Sequence, residues 1–254
     1  MKLRSAPLEV LADVYSPELA NRRDVLVYLP PSYHRGRRSY PVLYMHDGQN
    51  LFDPATSFAG DWGLGRIMES AARRGLEAIV VGVPNRGAER VDEYSPFPDP
   101  GTRGGGLGGA YVTFLVRTLK PLVDGRFRTR ASRAHTLIAG SSMGGLISLY
   151  AVFRHPGIYG AAGVLSPSLW FAGGAIFSSV ARAAFVPARI YLDIGALEGA
   201  EHVANARRMR DLLLAKGYRT GQDLRWLESR GGRHDERSWG RRFARALPWL
   251  LSPR

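Results

Sequence analysis

The sequence predicts an α/β fold with a mostly parallel sheet, and three observations carry that reading. Short, nearly continuous apolar runs such as "YPVLYMHDG" and "LEAIVVGVP" have the pattern of strands buried on both faces. Such runs alternate with stretches of helical periodicity through most of the chain. The first two strand-like segments have no helix between them, so an antiparallel N-terminal edge is expected. With no internal repeat and no low-complexity linker, residues 1–254 are expected to form one domain with helices on both faces of the sheet.

The elements follow in order. "LEVLADVY" and "RRDVLVYLP" have the β-branched and aromatic content of strands, and a turn-like stretch parts them. Pro30, Pro31 and Gly36 then mark a surface loop before the strand "YPVLYMHDG". A helix from about Trp62 to Arg74 leads into the strand "LEAIVVGVP". Residues 85 to 110 are rich in Gly, Pro and charge without periodicity, which predicts a long functional loop. A helix near 110–124 and the strand "AHTLIAGS" come next, then a helix over about 143–154 and the strand "GAAGVLSP". A variable stretch precedes the strand "RIYLDIG", a helix near 200–216, the strand "DLRWLE" and a C-terminal helix over about 236–251.

Composition excludes several chemistries. The chain has no cysteine, so disulfides, zinc ribbons and thiol catalysis are out. Hydrophobic residues at 45% and charged residues at 22% suit a soluble globular protein. The start "MKLRSAPLEVLADVY" has no continuous apolar stretch, which predicts no signal peptide and a cytoplasmic location. No run reaches the roughly 20 apolar residues of a membrane span. The net charge of +13 comes mostly from scattered arginines, with clusters at 35–38, 126–133 and 230–245. No nucleic-acid-binding motif with interleaved aromatics accompanies them, so no nucleic-acid partner is expected.

The chemistry-bearing motif is "IAGSSMGGLIS", in which Gly140, Ser142 and Gly144 match G-x-S-x-G between a strand and a helix. A sharp strand-to-helix turn strains the serine backbone and needs small neighbours. It leaves the Oγ standing clear of the sheet, near the positive helix end. Ser141 lacks flanking glycines at this spacing, which makes Ser142 the candidate nucleophile.

A serine hydroxyl needs a base. In the α/β-hydrolase arrangement the chain order is Ser, then Asp or Glu, then His. His34, His46 and His135 precede Ser142, and His155 lies close after the elbow. His202 falls in a predicted helix. His234, in the Gly-rich "SRGGRHDERSW" between the last strand and the last helix, is the candidate base. The acid belongs after the preceding strand, where Asp193, Glu198 and Glu201 stand. Asp193 lies inside the apolar run and Glu201 in the following helix, so Glu198, in the turn between, is the candidate; a carboxylate at a helix N-terminus is the alternative reading. The oxyanion hole needs the Met143 N–H and a second N–H, for which Gln49 in "HDGQNLFDP" is the candidate beside the permissive Gly48. His46 and Asp47 lack a third ligand at a sensible spacing, so no metal is expected. "GGGLGG" follows no strand and lacks the Lys-Ser or Lys-Thr of a P-loop, so no dinucleotide or other cofactor is expected.

Taken together, "YMHDGQNLFD", "GSSMGG", "LSPSLW", "YLDIGALEG" and "GGRHDERSW" resemble the esterase family of α/β hydrolases that includes enterobactin, feruloyl and acetyl-xylan esterases, esterase D and the mycolyltransferases. The resemblance runs from about residue 20 to the C-terminus. It implies Ser142 as nucleophile, His234 as base and the residue at 198 as acid, although many members carry Asp there and some siderophore esterases resemble a Ser–His dyad. It also suggests that Trp170, Trp62, Arg90 and Tyr94 line the substrate pocket, ordinary packing being the alternative for each. The implied activity is cofactor-independent hydrolysis of a small-molecule carboxylic ester. Acyl transfer to an alcohol, or a catalytically silent binding domain on the same scaffold, are the alternatives.

Overall fold

A computed structural model describes residues 8–101 and 104–252. Eight strands form one sheet: β1 (Leu8–Ser16), β2 (Asn21–Tyr28), β3 (Val42–His46), β4 (Ile79–Val83), β5 (Thr136–Ser141), β6 (Ala161–Leu165), β7 (Arg189–Gly195) and β8 (Leu224–Ser229). Their spatial order is β1-β2-β4-β3-β5-β6-β7-β8. The β1–β2 and β2–β4 pairs are antiparallel, and every later pair is parallel. This is the α/β-hydrolase-like arrangement, with its antiparallel edge at the N-terminus.

The pleat explains why the central strands read as continuous apolar runs. Alternate side chains point to opposite faces, and both faces are covered. Val42 and Tyr44 of β3, Ile79 and Val81 of β4, and Ile190 and Leu192 of β7 enter one apolar layer. Leu43 and Met45, Val80 and Tyr191 enter the other. Helices α1 (Leu64–Ala72) and α8 (Glu236–Leu251) cover the second face, through Met68, Phe243 and Leu247. Helices α2 (Arg90–Tyr94), α3 (Gly108–Phe114), α5 (Met143–Arg154), α6 (Phe171–Arg182) and α7 (Ala200–Ala215) all contribute to the first layer. Between α3 and α5, a π-turn over Leu115–Leu119 carries α3 into α4 (Lys120–Arg126), whose Val123 joins the same layer.

Three stretches differ from the sequence expectation. The first helix starts at Leu64, because Gly63 ahead of it has a left-handed backbone (φ 64°) and Trp62 lies outside the helix. The 85–110 segment holds the short α2 and the start of α3. The variable stretch before β7 contains α6, whose periodicity is broken by left-handed backbone at Ala172, Gly173 and Gly174. No helix among the described residues is long and apolar enough to cross a membrane.

Candidate active site

The carboxyl ends of the parallel strands gather Gln49, Ser142, Glu198 and His234, as the crevice rule for open α/β sheets anticipates. Ser142 sits between β5 and α5 with φ 56° and ψ −123°, a strained conformation for a non-glycine residue. The glycines flanking the turn have no room for a side chain. A Cβ on Gly140 would lie 2.7 Å from the Gly144 backbone, and one on Gly145 would lie 2.9 Å from the Leu165 carbonyl. The turn is fixed from both sides, because Ser142 N–H donates to Leu165 O and Ser142 O accepts from Ser168 N–H, each at 3.1 Å.

His234, in the loop between β8 and α8, places Nε2 3.1 Å from Ser142 Oγ. Its Nδ1 lies 2.8 Å from Glu198 Oε2. Glu198 stands in the turn after β7, with its side chain buried. Asp193 lies wholly buried within β7, and Glu201 lies in α7. His202 is in α7 as well, with its ring 6.4 Å from that of His234.

The surroundings of Glu198 are what sequence reasoning missed. Its Oε1 accepts from Ser166 Oγ (2.6 Å), from Gly195 N–H (2.8 Å) and from both terminal nitrogens of Arg242 (3.1 and 3.2 Å). Arg242 comes from α8 and is buried; its Nε also lies 3.4 Å from Asp193 Oδ2. Burial pushes the Glu198 carboxyl up, but the hydrogen bonds from His234 and Ser166 and the Arg242 charge outweigh it and hold it below the usual range. Asp193 feels burial more than its partners and is pushed up to about 6. One signal was available: Arg242 interrupts the apolar stripe Trp239, Phe243, Ala246 of an otherwise amphipathic helix.

Met143 begins α5, so its N–H has no acceptor one turn earlier. Gln49 lies in a single 3-10 turn over Gly48–Asn50, next to Ser142 across a cleft of about 540 Å³. Gly48 is required there, since a Cβ would meet the Gly82 backbone at 2.6 Å. The residue before it, Asp47, has left-handed backbone (φ 54°, ψ 49°). Its carboxylate accepts from Arg90 Nε and Nη2 and from Asn85 Nδ2, and its N–H donates to Tyr94 Oη at 3.0 Å.

Those contacts redefine the expected pocket residues. Arg90 does line the cleft, but as the partner of Asp47. Tyr94 is fully buried beneath the loop and does not line the cleft. Trp62 is 5% exposed and packs on Trp239 and Phe243 in the lower core, so it belongs to the packing and not to the cleft wall. Trp170 is 41% exposed but stands with Phe171 and His202, outside the cleft lined by Ser142. The walls are instead made by Asn50, Phe58, Asn85, Glu236 and Trp239. His46 is buried against Tyr111, which lies 2.9 Å from its Nδ1; burial lowers it to about 3, so it is neutral at physiological pH. No cluster of three potential metal ligands occurs among the described residues.

A Bacillus subtilis protein, YbbA, itself uncharacterized, is 30% identical over 250 residues, covering 92% of this chain and 95% of its own. The siderophore triacetylfusarinine C esterase of Aspergillus fumigatus is 31% identical over 141 residues, which span 54% of this chain and 47% of that one. In fold, the BES protein from Bacillus cereus superposes with a TM-score of 0.78 at 20% identity, over 99% of this chain and 97% of that one. The enterobactin esterase FES from Shigella flexneri superposes at 0.77 and 19% identity, over 98% of this chain and 60% of that one. The family model described as Putative esterase matches residues 16–250; the chain belongs to that family and is a carboxylic ester hydrolase.

Proposed function

We propose that hydrolysis runs through an acyl-enzyme on Ser142, within one domain formed by the whole chain. His234 Nε2 takes the Ser142 proton as Oγ attacks the ester carbonyl. Glu198 holds the imidazole so that Nδ1 carries its hydrogen, and it stabilises the imidazolium that forms. The carbonyl oxygen, now an oxyanion, is met by the Met143 and Gln49 N–H groups. Collapse expels the alcohol, which leaves with the proton held on His234. Water, deprotonated by the same histidine, then attacks the acyl carbon; the second collapse releases the carboxylic acid and returns the proton to Ser142. The reaction uses no cofactor.

The observation that carries this reading is the unbroken line Ser142–His234–Glu198, with links of 3.1 and 2.8 Å. The test is turnover of short p-nitrophenyl esters, together with labelling by a fluorophosphonate. Wild type is expected to hydrolyse the esters and to gain the mass of the probe less HF on Ser142, since fluoride leaves as Oγ bonds to phosphorus. Ser142→Ala and His234→Ala are each expected to lose roughly 10⁴-fold or more in kcat. A wild type that is inactive across a broad panel and unlabelled would overturn the reading. Products trapped as new esters with an added alcohol would favour acyl transfer.

A further inference from the structure

Resting on the acyl-enzyme reading just given, we infer that Glu236, held by Asn50, forms an acceptor subsite beside Ser142, one that binds a hydrogen-bond donor on the substrate, hydroxyl or ammonium, and disfavours a carboxylate. Glu236 is the first residue of α8 and lines the same cleft as Ser142, His234 and Trp239. It is only 6% exposed. An ionised carboxylate has about four acceptor positions, and a buried one is costly unless they are filled.

Those positions are poorly filled. The hydrogen bond to Glu236 from another residue is that of Asn50 Nδ2 to Oε1, at 3.4 Å, long against the roughly 2.7–2.9 Å of a charge-assisted pair. The remaining interaction of this kind is with its own main-chain N–H. No basic side chain among the described residues lies within ion-pair distance of it. Asp47, on the opposite wall, shows the contrast: two bonds from Arg90 and one from Asn85.

Glu236 is not the cap of the helix it begins, although it accepts from that helix's first N–H, its own. The capping role belongs to Asp235, which accepts from Ser238 N–H at 2.7 Å. Asn50 is committed in a way that suits a subsite. Its Oδ1 accepts from Phe58 N–H, which turns Nδ2 towards Glu236. Burial raises the Glu236 carboxyl above its ordinary value, as a carboxylate short of partners should be.

Charge points the same way. Of the lining groups, Asp47 is paired with Arg90, whereas Glu236 has no ion-pair partner among the described residues and feels Arg90 and His234 only at a distance. The cleft is therefore locally acidic although the chain carries +13 overall. A hydroxyl or ammonium on the substrate would supply a further donor, and a carboxylate would meet like charge.

Matched aryl esters of equal length, ending in methyl, hydroxyl, ammonium or carboxylate, test this. The substituent is placed once on the acyl and once on the alcohol portion. In one of the two series, wild type is expected to favour the hydroxyl and ammonium esters over methyl, and the ammonium over the carboxylate ester by at least tenfold in kcat/KM. Glu236→Gln is expected to shrink that last ratio at least tenfold, mainly through KM. An unchanged ratio would overturn the subsite. A second measurement needs no turnover: calorimetry of the corresponding non-hydrolysable amides on Ser142→Ala. Fivefold or tighter binding of the ammonium amide over the carboxylate amide supports the subsite, and equal affinities overturn it. Loss of all ester turnover in wild type would sink the Ser142 reading alone, since the calorimetry still decides the role of Glu236.

Discussion

Arg90 grips Asp47 with two hydrogen bonds, 2.7 Å from Nε and 2.9 Å from Nη2. The pair fixes more than itself. Asp47 carries left-handed backbone directly ahead of Gly48 and Gln49, so its conformation sets the course of the chain into the turn that holds Gln49. The helix that supplies Arg90 is anchored by a second buried pair, Arg23 with Glu93, at 2.7 Å. Removal of the guanidinium in Arg90→Met should leave Asp47 buried without its charge partner, held only by Asn85. Fully buried pairs lose roughly 3–5 kcal/mol when broken, and the partial exposure of Arg90 lowers the expectation to about 2–3 kcal/mol. The kinetic loss should fall on kcat, by about tenfold or more, with KM for a small ester little changed. Arg90→Lys, which keeps the charge but not the fork, should be intermediate. Urea melts and steady-state kinetics on p-nitrophenyl acetate check both; a KM effect alone would put Arg90 in substrate binding.

Glu198→Gln separates a triad from a dyad. Oε1 receives donors from Ser166, Gly195 and Arg242, so the amide oxygen of a glutamine should settle there. That leaves the NH2 group facing His234 Nδ1 and forces Nδ1 to accept. The Nε2 then carries the hydrogen and no longer takes one from Ser142. A comparable tautomer error costs about 10⁴-fold in kcat in the well-studied serine proteases, so a loss of about 10³–10⁴-fold is expected here. Rates measured at saturating ester decide it, and an unchanged kcat would assign the role of acid elsewhere or nowhere.

Much of this was legible in the sequence because it rests on periodicity and order. The two-face burial of β3 to β7 shows as apolar runs, and the Ser, Glu, His succession follows from the strand ends that carry them. What could not be read depends on which side of a wall a residue falls. Trp62 and Tyr94 look like pocket aromatics, yet one packs on Trp239 and the other lies under the Asp47 loop. Nothing in residue type distinguishes those outcomes. Helix α6 escaped because glycines and left-handed backbone break its pattern, and α2 because five residues are too few to show a period.

Asp193 offers a pH-dependent signature. Burial raises its carboxyl to about 6, against an ordinary value of about 4. A folded value above the unfolded one means that its contribution to stability is fully present below pH ~4 and is lost as pH rises towards 6. Glu198 is shifted the other way: its contribution is present above the ordinary carboxylate range and is lost only in more acidic solution. The windows are therefore separate. Asp193→Asn should remove the first, so that its stability relative to wild type improves by on the order of 2–3 kcal/mol between pH 4 and pH 7. Urea denaturation across that range measures the difference, and a constant offset would show that Asp193 titrates no differently in the folded state.

The glycines of the elbow should behave unlike glycines elsewhere in the same protein. A methyl group at Gly140 would lie 2.7 Å from the Gly144 backbone and 2.9 Å from His46 Cδ2. Neither neighbour is a flexible chain end: one is main chain at the start of α5, and the other is the ring of a buried histidine held by Tyr111. Relief requires moving the turn that carries Ser142, so Gly140→Ala should cost about 3 kcal/mol or more and abolish turnover together. Gly125, inside α4, has nothing within 4 Å of its would-be Cβ. Gly125→Ala should therefore stabilise the fold by about 0.5–1 kcal/mol, through the unfolded chain's lost freedom and the better helix former, with kinetics unaltered. Thermal melts of the two variants beside wild type check the pair. A tolerated, active Gly140→Ala would mean that the elbow is not held by the close approach of Gly140 to Gly144.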